Sequence, residues 1–212
     1  SLRGSLSLTD PDYNFTGKEL SYYLKNIKND KTDSGYENSI FGAGIGLSYE
    51  KFKDVYFSPG ISLTYDDLTT DETASTLLQN QSGSATDLML DYSLSTDKRD
   101  RRFMPTNGYL TSFFQEFPIY ADQPFIKNSF SSSHYNEFSE NVVGALKFSV
   151  TSINGLNDED VRVSQRLTLS TKKLRGFQAG KIGPKDGSDF VGGNYSSSLN
   201  LEANFPNFFP EK

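Results

Sequence analysis

Hydrophobic and polar residues alternate along most of this chain with a period of two, the spacing of an extended strand. Leu2, Leu6 and Leu8 fall on one side of the first segment, and Ser1, Arg3, Ser5, Ser7 and Thr9 on the other, before Asp10-Pro11-Asp12 ends it. The second segment sets Leu20, Tyr22 and Leu24 against Glu19, Ser21, Tyr23 and Lys25, and a polar loop is predicted over about 29–38. The third carries Phe41, Ala43, Ile45, Leu47 and Tyr49 on one face and Gly42, Gly44, Gly46 and Ser48 on the other. Small residues at alternate positions let a sheet bend or leave space beside it. The fourth sets Val55, Phe57, Ile61, Leu63 and Tyr65 against Tyr56, Ser58, Gly60, Ser62, Thr64 and Asp66.

A long polar loop is predicted over 67–83. The fifth strand then sets Leu88, Leu90, Tyr92 and Leu94 against Asp87, Met89, Asp91, Ser93 and Ser95. The stretch 97–108 ends in Asn107-Gly108, a hairpin-turn signal. Strands six and seven, about 109–117 and 128–138, have weaker patterns. Strand eight is clear, with Val142, Leu146, Phe148 and Val150 against Val143, Ala145, Lys147, Ser149 and Thr151. A short extra strand is predicted at 165–169, at the root of a long polar connection over 154–193. The last strand sets Tyr195, Leu199, Leu201 and Ala203 against Ser196, Ser198, Asn200 and Glu202, and 207–212 reads as a turn cut short.

Nine strands joined by hairpins follow from this pattern. Connections after strands one, three, five and seven are expected to be tighter than those after two, four, six and eight. Outer-membrane barrels show that asymmetry, with short periplasmic turns and long outer loops. Several segments reach ten residues or more, beyond the roughly five or six of a soluble sandwich strand. Tyrosines near strand ends (Tyr49, Tyr65, Tyr109, Tyr195) fit interfacial girdles. The predicted fold is all-β, an incomplete antiparallel transmembrane β-barrel; an odd strand count cannot close as bacterial single-chain barrels do, so a partial barrel is expected over 1–212.

Composition agrees. Only 35% of residues are hydrophobic while 14% are aromatic, which suits a single curved sheet with every second side chain polar. The net charge of -6 argues against a nucleic-acid surface. Cysteine is absent, so thiolate chemistry and disulfides are excluded. The lone His134 supports neither a His-based metal site nor a Ser/His/Asp set. Asp87 and Asp91 lie on one polar face and read as lumen lining rather than an acid/base pair. Asp67, Asp71 and Glu72 lack EF-hand spacing for calcium.

Two stretches carry more. Leu174-Arg175-Gly176-Phe177, followed by Ile182-Gly183-Pro184-Lys185 and Gly192-Gly193-Asn194, resembles the sixth extracellular loop of the BamA family. The turn with Asp97, Arg99, Pro105, Thr106 and Gly108 resembles the D-x-R…P-T-x-G turn of the same BamA/Sam/Toc superfamily. Leu169-Ser170-Thr171 departs from the family, which carries a Gly-Gly pair there.

The resemblance implies the middle of a sixteen-stranded barrel, from about its fourth strand to its twelfth. The loop over 154–193 would be extracellular and fold back into the lumen. Arg175 would pair with Glu202 on the inner wall, Gly176 would allow a tight backbone, and Phe177 would fill an apolar niche. The implied function is non-enzymatic and cofactor-free: assembly of client outer-membrane β-barrel proteins in a Gram-negative outer membrane. Implied partners are those clients, Bam accessory lipoproteins reached through POTRA repeats, and outer-membrane lipid, with no nucleic acid. The alternatives are a two-partner-type secretion pore of the same superfamily and a passive porin or adhesin barrel.

Overall fold

The computed structural model describes residues 2–31, 35–140, 142–171, 173–178 and 180–205. Eight long strands run in chain order: β1 (Leu2–Asp10), β2 (Glu19–Lys31), β3 (Tyr36–Phe52), β4 (Val55–Thr70), β5 (Gly83–Asp97), β6 (Gly108–Ala121), β7 (Phe125–Ser139) and β8 (Val142–Gly155). Two two-residue strands, β9 (Lys185–Asp186) and β10 (Asp189–Phe190), pair with each other inside the long loop, and β11 (Tyr195–Asn204) follows. The main sheet is open and nine-stranded, in the order β1-β2-β3-β4-β5-β6-β7-β8-β11, each neighbouring pair antiparallel. Among the described residues no helix is long and apolar enough to cross a membrane.

Register explains the two faces. Leu6, Leu24, Ala43, Leu63 and Leu88 form one cross-strand row, and Phe57, Leu94, Phe113, Phe130 and Val150 another. Leu6, Leu24, Leu63, Leu94 and Val150 are exposed, which in a barrel wall is the lipid side. The opposite face carries the row Ser21, Gly46, Gly60, Asp91, Glu116 and Lys127. The long loop packs against that inner face.

Two small cores form there. Val163 and Val191 of the loop join Ala74 and Leu78, the latter on the short helix α1 (Thr76–Asn80). Val161 of the loop joins Met89, Phe125 and Ile153 on β5, β7 and β8. The apolar interior is therefore made by the loop and the wall together, at the long-loop end of the sheet.

Several boundaries differ from the expected ones. The polar stretch over 29–38 is largely strand: Asn29 pairs with Asn38 and Lys31 with Tyr36. The ladder continues where the apolar alternation stops. The expected loop over 67–83 is shorter, since β4 runs to Thr70, and it contains α1. The connection after strand six is only 122–124, not one of the longer ones. Pro118 and the register shift opposite Leu88 and Met89 break the alternation that would have extended both strands. The extra strand at 165–169 does not form: Val163–Gln165 is a 3-10 turn, and Leu167 makes one isolated bridge to Gly193. The predicted tail turn at 207–212 lies outside the described residues.

Candidate functional site: a loop pinned across the inner wall

The loop tip meets the wall at β8 and β11. Glu202 lies on the inner face of β11, opposite Ala145 of β8. Its two oxygens are divided between two cations. Arg175 Nη2 donates to Oε1 at 3.2 Å, and Lys147 Nζ donates to Oε2 at 2.6 Å. The backbone joins in: Asn200 Nδ2 donates to the Lys173 carbonyl at 3.0 Å, and Lys173 Nζ donates to Ser149 Oγ at 2.9 Å. Ser149 and Ser198 hydroxyls meet at 2.8 Å. A cavity of about 600 Å³ separates tip and wall, lined by Ser131, Ser133, Ser149 and Asn200 among others.

Gly176 takes a φ of 86°, and a Cβ there would meet nothing within 4 Å, so its requirement is conformational rather than steric. Phe177 is more than half exposed and fills no apolar niche, because neither small core extends to the tip.

The turn after β5 is held by its own acids. Asp97 receives Arg99 in a two-pronged pair, Nε to Oδ1 at 2.8 Å and Nη2 to Oδ2 at 2.7 Å. Asp100 accepts from the Thr106 hydroxyl at 2.6 Å, the Thr106 amide at 3.0 Å and the Asn107 amide at 3.2 Å. These bonds, the Thr106 hydroxyl foremost, lower the Asp100 pKa to about 2. Lys98 pairs with Asp54, tying this turn to the one between β3 and β4. Gly108 is required twice over: φ is 97°, and a Cβ would stand 2.1 Å from the Lys98 carbonyl oxygen. Pro105 and Thr106 help line a second cavity of about 790 Å³, which also touches Lys147. Lys147 thus stands between the space under the loop tip and the space above the turn.

Sequence reasoning missed a second attachment of the loop. Arg162 and Asp66 form an ion pair, Nε to Oδ2 at 3.3 Å, with side chains 6% and 1% exposed. Asn38 Nδ2 donates to Asp66 Oδ1 at 3.0 Å, the Ser164 hydroxyl donates to Oδ2, and Arg162 Nη2 donates to the Gly83 carbonyl. The available signal was Val161-Arg162-Val163, a cation flanked by apolar residues in a polar stretch. A third attachment runs through Asp189, which accepts from the Ser75 amide at 2.9 Å, and Asp186, which accepts from the Leu77 amide at 3.3 Å.

Other candidates are not brought together. Asp87 and Asp91 share no hydrogen bond; Asp91 lies over Gly60 on the inner face. His134 stacks on Tyr109, with ring centroids 5.5 Å apart. Among the described residues, no group of three or more His, Cys, Asp or Glu is placed to hold a metal ion.

Comparison with known proteins bears on the family and the fold. The model of the Omp85 superfamily domain matches residues 1–212. The outer membrane protein assembly factor BamA of Neorickettsia risticii (strain Illinois) is 29% identical over 195 residues, covering 90% of this chain and 26% of that protein. A SAM50-like protein of Schizosaccharomyces pombe is 25% identical over 189 residues, covering 85% of this chain and 40% of that protein. The crystal structure of BamA from Haemophilus ducreyi lacking POTRA domains 1-3 superposes with a TM-score of 0.83 at 22% identity, over 99% of this chain and 46% of that one. The chain spans less than half the length of each of these relatives.

Proposed function

Because the chain belongs to the Omp85 superfamily, we propose that it supplies wall and lumen loop to a factor that folds and inserts β-barrel proteins into the outer membrane of a Gram-negative bacterium. The observation that carries the reading is the loop laid along the inner wall, with Arg175 on Glu202. The similarity to a BamA and to a SAM50-like protein favours assembly over secretion through a two-partner-type pore. The activity is non-enzymatic and uses no cofactor. Clients engage elsewhere on the barrel, where a weak seam offers unpaired backbone edges to an incoming strand. Accessory lipoproteins act through POTRA repeats of the whole protein, and outer-membrane lipid covers the leucine-rich face.

In this reading Arg175 and Glu202 keep the loop tip seated on the wall while the rest of the barrel opens. Arg175→Ala in the full-length protein is expected to loosen the loop and to slow client assembly in cells, seen as reduced levels of folded outer-membrane proteins. If barrel stability and client levels both stay at those of the unaltered protein, the proposed role of the loop is wrong.

A further inference from the structure

We propose that Arg162, rather than the motif residue Arg175, is the principal positioning residue of the loop, with Asp66 as its seat. The proposal rests on the reading that the loop acts from inside the barrel; what it adds is which contact puts it there. The two ion pairs differ sharply in environment. Arg175 is 77% exposed and Glu202 22%, whereas Arg162 is 6% exposed and Asp66 1%. A pair open to water contributes little, because solvent already stabilises both charges. Breaking a buried pair leaves a charge with neither water nor a counter-ion, and at Asp66 only the neutral donors Asn38 and Ser164 would remain.

Arg162 also reaches more of the wall. Asp66 is on β4 and Gly83 at the start of β5, so residues 162–164 join two neighbouring strands, and Asn38 of β3 donates to the same Asp66 carboxylate. The Val163 amide adds a bond to Gln81 Oε1 at 2.7 Å. On either side of the guanidinium, Val161 and Val163 enter the two separate apolar clusters. This segment is thus a three-part plug: a charge seated on β4, Val161 packed on β5, β7 and β8, and Val163 packed on the connection between β4 and β5. From there the chain crosses to β8 and β11, where Arg175 finds Glu202. The buried end fixes the path, and the exposed end closes along it.

Amide hydrogen exchange on the full-length protein in lipid bilayers tests this, with the β7 and β8 amides as the internal control for a folded barrel. Arg162→Met is expected to speed exchange over 161–178 by about a hundredfold, with the control amides unchanged. Arg162→Lys, which keeps the charge but not the planar fork, is expected to fall between. Arg175→Ala is expected to speed exchange only beyond Ser170.

Unchanged exchange in Arg162→Met overturns the proposal. So does an Arg175→Ala protein in which 161–170 exchanges as fast as the tip. If Arg162→Met does not form a barrel, Arg162→Lys decides: exchange over 161–178 equal to the unaltered protein rejects the role. These readouts do not involve client assembly, so the positioning role and the proposed function can fail separately.

Discussion

Glu202 divides its carboxylate between Arg175 and Lys147, and Asp100 gathers three donors from Thr106 and Asn107. Each acid organises a polar stretch that has no hydrophobic core of its own. At Asp100 the effect is visible as acidity. Its pKa falls from the ordinary 3.8 to about 2, with the Thr106 hydroxyl the largest cause. A carboxyl whose folded pKa is lowered stabilises the fold above its unfolded pKa and loses that contribution as pH falls toward the folded value. The turn is therefore expected to hold its shape through mild acid and to loosen as pH approaches about 2. Thr106→Val removes the hydroxyl donor and leaves the two amides. Carboxyl chemical shifts followed against pH are expected to place the Asp100 midpoint closer to 3.8 in that variant. A midpoint still near 2 would assign the shift to the amides instead.

At the scale of elements, β3 shows what glycine does in this wall. A Cβ on Gly44 would stand 2.4 Å from the Tyr23 ring, and one on Gly42 would stand 2.4 Å from Cε of Lys25. The distances match but the neighbours do not. Lys25 can swing its flexible stem aside, whereas the Tyr23 ring has only two torsions with which to retreat. Gly44→Ala is expected to lower stability by about 1–3 kcal/mol, as overpacking does, and Gly42→Ala by clearly less. Urea midpoints of the two variants in the same lipid check the ordering; equal losses would mean that the ring yields as easily as the lysine. This strand, and β1, β2, β4, β5, β8 and β11, were legible because one face is apolar and the other is polar or small. β6 and β7 were not. The outer row of β7 alternates Phe130 with Asn128, Ser132 and His134, its inner row is Ser129, Ser131 and Ser133, and Pro118 interrupts β6. Arg175 and Glu202 could be paired from a motif, while Arg162 and Asp66 could not. No periodicity says which of many acids a loop arginine will meet, and only the fold brings positions 66 and 162 together.

For the whole molecule, the sheet has two unlike environments and only two small cores. Buried apolar residues such as Leu78, Met89, Ile153 and Val161 lie beneath the loop, while Leu6, Leu24 and Leu63 stand exposed on the other side. Water cannot be the natural solvent for that second side; hydrocarbon can, because every strand of the wall except the two edges pairs its backbone on both flanks. Leu63 and Thr64 test this division within a single step along β4. Leu63 lies in the row of Ala43 and Leu88, and Thr64 lies opposite Gly42 and Asp87. Leu63→Arg places a guanidinium among acyl chains, and its expected cost is about 2–4 kcal/mol of folding free energy in the bilayer. Thr64→Arg places the same group on the polar face, across from the Asp87 carboxylate and beside the flexible Lys25 stem that lies over Gly42, so its expected cost is well under half of that. Urea-dependent folding of the full-length protein into phosphatidylcholine vesicles measures both. Similar losses at the two positions would mean that lipid does not distinguish the faces, and the leucine-rich side would then have to pack against protein instead.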